Sequence, residues 1–497
     1  MGVREELRPF FEPRTIAVVG ASHKPGKPGY VIAENFVRAW REGRFKGKVF
    51  LVNPKGGEIL GESVYPSVLE IPEDVETIVV VVPAAVVPQV IEEAGRKGVK
   101  AAIIISAGFS EVGNVELEER VQEIAQRYGI RVVGPNGLGV VDMYSGVDTM
   151  FVPEHKQLAD REALATPRPP PGFISFISQS GAFGVAALDY MAGHGLGLSK
   201  FVSYGNRMDV DDADLIEYLA EDPTTRVIMV YIEGLKDGRK FVQVAREAGK
   251  RKPILVFKSG RTAAGARAAA SHTAALAGAD RMYEIGFKTC GAIRAYDMEE
   301  FFDMAKAMAF MPPARGNRIA ILTDGGGCGV MATDAAELVG LKVVETPPDT
   351  LQRLKELVER KVIPPFAALR NPIDLTGSAT NASYEEALRV LLESPGFDGV
   401  VLILLHHVPG VTWDLPERLA EIVWKYRKPV TACDVGMTEM AVYTRKVLDE
   451  HFIPSYPSPE RAVRAMRALV EYGAFLKREG VLDEYLKQWT PPAKASR

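Results

Sequence analysis

One histidine, His272, lies in the stretch KSGRTAAGARAAASHTAALAGAD (258–280), basic and small-residue-rich in its first half and reading as a helix start after Ser271. Imidazole can act as a nucleophile and form a covalent intermediate, and a carboxylate at its other nitrogen fixes the tautomer for that role. Gly and Ala residues ahead of His272 suit a loop that moves; a lone histidine also has the plainer reading of a structural residue. Glu233, at the end of the strand-like YIEG, is a carboxylate that can orient a histidine. Ser178-Gln179-Ser180-Gly181 precede a helical stretch, where free backbone N–H groups and the helix dipole favour an anion. Ser180 reads equally well as a simple N-cap.

A second group of residues suits phosphate at the other end of a long ligand. IAVVGASHKPGKPG ends a strand at Gly20 and enters a small, Gly-rich turn that lets backbone approach a phosphate. The spacing is not GxGxxG, and the next strand ends in Asn53-Pro54-Lys55 with no acid to hold a ribose. Lys55 adds a positive charge, so a nucleotide with an extra ribose phosphate, such as CoA, fits better than NAD. Gly20 as a tight turn and Lys55 as a solvated lysine form the alternative. VVVVPA (80–85), IIISAGFSE (103–111) and VVGPNGLG (132–139) end the following strands in small or polar residues. They suggest a ligand lying across the sheet edge, or merely short connections that need Gly and Pro.

The elements that must position these residues are short β-branched runs at helix-sized spacing: Ile16–Gly20, Val49–Pro54, Thr77–Pro83, Ala101–Ser106 and Arg131–Asn136. Continuous apolar strands alternating with amphipathic stretches read as βαβ units in a parallel sheet. Residues 155–171 break the pattern with Pro167, Pro169, Pro170 and Pro171, a linker signature. A second series follows (Gly172–Ser178, Lys200–Tyr204, Val227–Glu233, Pro253–Ser259, Ala292–Ala295), and MPPARGN (311–317) punctuates it. A third series comprises Arg318–Thr323, Lys342–Glu345, Gly399–Leu405, Pro429–Asp434 and Ile453–Tyr456. ISQSGAFGV and LTDGGGCGV open the second and third series at an offset of 145 residues, so the two read as copies of one flavodoxin-like unit. The expected fold is α/β: three doubly wound domains, a Rossmann-like one at 1–154, a linker at 155–171, and flavodoxin-like ones at 172–312 and 313–497.

The 497 residues are too many for one core. A net charge of −4, without a long basic run, argues against a nucleic-acid or membrane-surface role. Cys290, Cys328 and Cys433 are odd in number and far apart, which suits a reducing cytoplasm. The start of the chain lacks a signal-peptide core, and apolar runs are too short to span a bilayer. His23 can touch a ligand in the first turn. His155, His194 and His451 lack chemical context, and His406-His407 end a buried strand. No metal-ligand spacing occurs.

With VVGAS, NPK, VVGPN, ISQSGAFG and especially SHTAALAG in hand, the chain resembles the NDP-forming acyl-CoA synthetases, relatives of succinyl-CoA synthetase. The closer likeness is to α subunits of ADP-forming acetyl-CoA synthetases, and it covers nearly the whole chain. The resemblance implies that the first domain binds CoA, Gly20, Ser22 and the turn meeting its phosphates and Lys55 the adenosine-end phosphate. Ser106, Ala107 and Gly108 would line the pantetheine path. Asn136, Ser180 and Gly181 would surround the acyl carbonyl and phosphate. His272 would be phosphorylated, with Glu233 orienting it. The family's ATP-grasp domain has no counterpart here. A separate ATP-grasp β subunit carrying ADP or ATP with Mg2+ is therefore expected, as an α2β2 assembly. The family's succinyl-type members carry GHAGA where this chain has Ser271-His272-Thr273-Ala274-Ala275, which favours the acetyl or general acyl type. A CoA-binding regulatory protein without catalysis and a succinyl-CoA synthetase-like ligase are the alternatives. An NAD(P)-dependent oxidoreductase leaves two domains without a role.

Overall fold

The apolar runs of the first series assemble edge to edge because each is buried on both faces. The computed structural model describes residues 2–267 and 280–493, and the chain divides into two compact units at Arg294/Ala295. Within the first unit, a seven-stranded sheet runs Glu58–Ile59, Glu62–Tyr65, Lys48–Val52, Thr15–Val19, Thr77–Val80, Ala101–Ile104, Arg131–Val133. All its pairs are parallel apart from the small Glu58–Tyr65 hairpin. The order reverses between Thr15–Val19 and Thr77–Val80, which places the Gly20 turn at the switch point, where open α/β sheets bind ligands.

The second sheet of this unit runs Ile293–Ala295, Ile254–Lys258, Val227–Ile232, Pro171–Ser178, Leu198–Ser203, Gly139–Asp142. Its switch point falls between Pro171–Ser178 and Val227–Ile232, which brings the Gln179 turn beside Glu233. The edge strand Gly139–Asp142 departs from the expected boundary at 154. It belongs in sequence to the first domain but pairs antiparallel with Leu198–Ser203, Asp142 facing Lys200. The expected linker at 155–171 also departs: His155–Leu158 and Arg161–Leu164 form an antiparallel hairpin. The Glu154 carbonyl closes its base by accepting the Ala165 and Thr166 amides at 2.8 and 3.0 Å.

In the second unit the order is Ile373–Asp374, Ile319–Thr323, Gly399–Leu404, Val430–Asp434, Ser455–Tyr456, all parallel. This is the flavodoxin order. The expected strand at Lys342–Glu345 is reduced to one bridge, Arg318 to Lys342. The side chain of Asn371 takes over part of the ladder: Oδ1 accepts from the Ile321 amide at 2.9 Å, and Nδ2 donates to the Ile319 and Val344 carbonyls, both at 2.8 Å. Ile373–Asp374 then occupies the edge. The helix Met298–Phe310 precedes the expected boundary at 312. Met298–Phe310 packs on Pro459–Arg478, and Arg461 holds the buried Asp303 carboxylate through two 2.7 Å hydrogen bonds.

The helices Gly181–Gly193 and Gly326–Leu338 follow corresponding strands with the same 145-residue offset at both ends. The likeness reaches the side chains. Gln179 Oε1 accepts the amide of Glu233, the first residue after its neighbouring strand, at 2.8 Å. The equivalent Asp324 accepts the amide of Leu405, again the first residue after the strand, at 3.2 Å. Burial raises the Asp324 carboxyl to about 7, against the opposing Leu405 hydrogen bond. A raised folded-state pKa means its stabilising contribution is full below the ordinary carboxylate range and is lost as pH climbs through about 7. Asp324→Asn is therefore expected to flatten the pH dependence of unfolding between about 4 and 7. At pH 8 urea titration should find it roughly 1–3 kcal/mol more stable than wild type.

Candidate functional site

Gly20 has φ +98°, and a Cβ there would lie 2.3 Å from the Val81 carbonyl oxygen. Gly29, in the first turn of the Pro28–Arg41 helix, would likewise meet the Gly20 carbonyl at 2.1 Å. Strand end and helix start therefore touch backbone to backbone, leaving a cavity of about 520 Å3 beside them. Ser22 and Lys55 line it, as the sequence suggests, together with His23, Lys24, Lys27 and Asn53. Asn53 shapes the rim, its Nδ2 donating to the Ala21 carbonyl at 2.8 Å and its Oδ1 accepting the Lys55 amide at 3.0 Å. His23 Nε2 lies 3.1 Å from the Gly56 carbonyl. Three lysines around a glycine-walled hollow suit a phosphorylated ligand. Lys24 and Lys27 stand in the sequence as HKPGK, basic residues interleaved with the glycine that shapes the turn. Gly20→Ala is expected to weaken binding of CoA, the ligand that the resemblance implies, at least about tenfold by calorimetry, since the new methyl group forces the turn away from its left-handed conformation.

A second cavity, of about 470 Å3, opens where the ends of the first two sheets meet. Ala107, Asn136, Ser180 and Gly181 all line it, so four of the expected residues converge. Asn136 sits in the left-handed region (φ +61°), its amide donating to the Ser106 carbonyl at 3.0 Å. Ser180 caps the Gly181–Gly193 helix, its Oγ accepting the Phe183 amide at 3.3 Å. It is therefore an N-cap and a cavity residue at once.

Ser106 and Gly108 are placed otherwise. The Ser106 hydroxyl is buried, donating to the Val82 carbonyl at 2.6 Å and accepting the Val82 amide at 3.1 Å, so it ties two strand ends together. The Gly108 amide donates to Glu111 Oε1 at 2.5 Å. Burial pushes the Glu111 carboxyl up, but hydrogen bonds from Asn206 and the Gly108 and Phe109 amides outweigh it and hold the group below its usual range.

Gln179, also in the cavity lining, organises the turn. Its Nε2 donates to Asp212 Oδ1 (2.9 Å) and the Gly234 carbonyl (2.8 Å), while its Oε1 accepts the Glu233 and Gly234 amides. Arg207, lining the same cavity, donates to the Gly234 carbonyl at 2.6 Å and pairs with Asp212 at 3.3 Å. Glu233 is 7% exposed at the strand end, set just behind Gln179. Burial raises the pKa of neighbouring Tyr231, and the Glu233 carboxylate adds to that rise. His272 lies outside the described residues. On the far side of that stretch Asp280 is fixed by Arg294 at 2.5 Å, and Arg294 also holds Glu284 at 2.9 Å. Asn206 and Arg207 are the residues that sequence reasoning missed, and Gln179, though inside the SQSG stretch, gave no sign of its partners. Asn206 and Arg207 follow the strand that ends at Ser203, where YGNR sets a Gly beside polar side chains as at the other strand ends.

Comparison with known proteins bears on this arrangement. A CoA binding domain matches residues 14–143, a succinyl-CoA ligase like flavodoxin domain 171–308, and a Ligase-CoA domain 319–474. The α subunit of acetate–CoA ligase [ADP-forming] I from Pyrococcus furiosus is 44% identical over 94% of this chain and 97% of its own length. The chain belongs to the ADP-forming acyl-CoA synthetase family. The acetate–CoA ligase [ADP-forming] of Methanocaldococcus jannaschii is 39% identical, and the match spans 97% of this chain but 65% of that longer protein. Among solved structures, the dinucleotide forming acetyl-coenzyme A synthetase 1 of Candidatus Korarchaeum cryptofilum, in complex with phosphate and ADP, superposes with a TM-score of 0.86. It is 38% identical and the match covers 96% of this synthetase chain and 98% of that one. No described helix is long and apolar enough to cross a membrane.

Proposed function

We propose that this chain is the α subunit of an ADP-forming acyl-CoA synthetase that converts acyl-CoA, ADP and phosphate into carboxylic acid, CoA and ATP. The observation that carries this reading is the convergence of Asn136, from the CoA-binding sheet, with Ser180 and Gly181 at a helix start in one cavity. CoA fits the first turn, where the Gly20 hollow is rimmed by Lys24, Lys27 and Lys55.

A phosphate oxygen attacks the acyl carbonyl, the C–S bond breaks, and the thiolate leaves as CoA, giving an acyl phosphate. The N–H groups of the Gly181 helix start and the Asn136 amide stabilise the negative charge at that centre. A ring nitrogen of His272 then takes the phosphoryl group from the acyl phosphate, releasing the carboxylate. Glu233 orients the imidazole. The phosphohistidine finally gives its phosphoryl group to ADP, held with Mg2+ on an ATP-grasp β subunit in an α2β2 assembly in the cytoplasm. Acetyl-CoA is the substrate that the relatives' names favour.

Incubating the chain with acetyl-CoA and labelled phosphate, without nucleotide, is expected to leave acid-labile, base-stable label on the protein. Absence of label with several acyl-CoAs, with and without a β subunit, would reduce the chain to a CoA-binding protein.

A further inference from the structure

The turn Tyr204–Arg207 is pressed against the strand end that carries Asn136. Gly205 has φ +50°, and a Cβ there would lie 2.1 Å from the Pro135 carbonyl oxygen and 2.4 Å from that of Asn136. The Asn206 amide donates to the Pro135 carbonyl at 2.9 Å. Its side chain is thereby carried into a ring of acceptors: Nδ2 donates to Glu111 Oε2 (2.6 Å) and Glu118 Oε2 (2.8 Å), with Ser110 Oγ sharing one of the two hydrogens at 3.1 Å. Ionised carboxylates only accept hydrogen bonds, so the NH2 end of Asn206 is committed to them. Its Oδ1 must face the other way, where it accepts from Asn136 Nδ2 at 3.2 Å. That bond uses one Asn136 Nδ2 hydrogen and fixes the plane of the amide, leaving the second hydrogen for the cavity.

We infer that Asn206 is a positioning residue for acyl transfer: with Glu111 and Glu118 it forms an amide relay that aims the Asn136 side-chain N–H at the acyl carbonyl or phosphate. The inference rests on the acyl-transfer reading of the cavity. Nothing in the strand-to-helix chemistry of the fold requires it, since the Pro135 contact is made by the Asn206 backbone and any residue can supply that.

Asn206→Asp tests the relay through pH. The introduced carboxyl still accepts from Asn136, but it faces Glu111 and Glu118, and like charges raise a carboxyl pKa. The other charged groups at this corner are Arg207, held by Asp212, and Lys236, which donates to the Arg207 carbonyl. In single-turnover labelling of the chain by acyl-CoA and phosphate, the variant should be roughly 10- to 100-fold slower than wild type at pH 8. Its rate should recover toward pH 5.5, because the protonated carboxyl donates where the amide did. Asn206→Ala, which adds no charge, should lose the rate without recovering. In the Asn136→Ala background, Asn206→Asp should cost little more, since both changes act through one hydrogen bond. A variant as fast as wild type would overturn the relay. So would a loss independent of pH and multiplicative with Asn136→Ala. If wild type itself takes up no label, it is the ligase reading that fails, and the relay falls with it.

Discussion

His272→Ala is expected to abolish label uptake from acyl-CoA and phosphate, and with it ATP formation by the reconstituted enzyme, a loss of at least about 10^4-fold. CoA binding should be retained, because the turn that would hold it is built from Gly20, Lys24, Lys27, Asn53 and Lys55 on a different sheet. Glu233→Gln is expected to fall between the two. It keeps the volume and the Gln179 contact, which is made by the Glu233 backbone amide. It removes the charge that, in the proposed mechanism, stabilises an imidazolium and sets the tautomer. Rapid-quench measurement of phosphoryl uptake separates these cases: a Glu233→Gln variant as fast as wild type would show that the carboxylate does not face the histidine.

The second large effect is on stability. Lys200 is 2% exposed, and its Nζ donates to Asp222 Oδ1 at 2.9 Å and Thr224 Oγ1 at 3.0 Å and lies 3.3 Å from Asp142 Oδ2. Both carboxylates are nearly fully buried. Burial raises the Asp142 carboxyl despite the lysine, whereas Asp222, with added hydrogen bonds from Thr224 and Thr225, is held low. Lys200→Met removes the ammonium that pairs with both buried carboxylates and is expected to destabilise the first unit by about 3–5 kcal/mol in denaturant titration. The loss should shrink as pH falls. Without the lysine, burial holds the Asp142 carboxyl above its ordinary range with less opposing it, so that part of the penalty is absent when Asp142 is protonated and grows as it ionises. A variant equally unstable at all pH values would mean that lost packing, not charge, dominates.

How much could be read beforehand follows from what each element is made of. The parallel strands were legible because IAVV, TIVV, AAII and VVLIL are buried on both faces and so run continuously apolar. Gly139–Asp142 was not, because its four residues follow GPNGL and read as the tail of a loop; only its pairing with Leu198–Ser203 makes it a strand. The hairpin at 155–164 is exposed at nearly every position and therefore carries no burial pattern to read. Lys342–Glu345 had the right composition but lost its ladder to the Asn371 side chain. In the site, residues at strand ends beside Gly were legible as candidates from chemistry and local spacing. Gln179 lay inside a quoted motif, yet its partners Asp212 and Gly234 are more than thirty residues away and meet it only through the sheet order. Asn206 is further still from Glu111 and Glu118.

The borrowed edge strand has a bearing on ancestry and on engineering alike. Because Gly139–Asp142 leaves one sheet's sequence to complete another, the two α/β layers of the first unit share a covalent seam. A cut in the chain near residue 150 would strip the second layer of its border and leave an unsatisfied row of amides and carbonyls open to foreign strands. Chimeras that trade the CoA-binding portion between relatives should therefore move residues 1–294 as a block, and lineages that split or fuse these genes would be expected to respect the same seam.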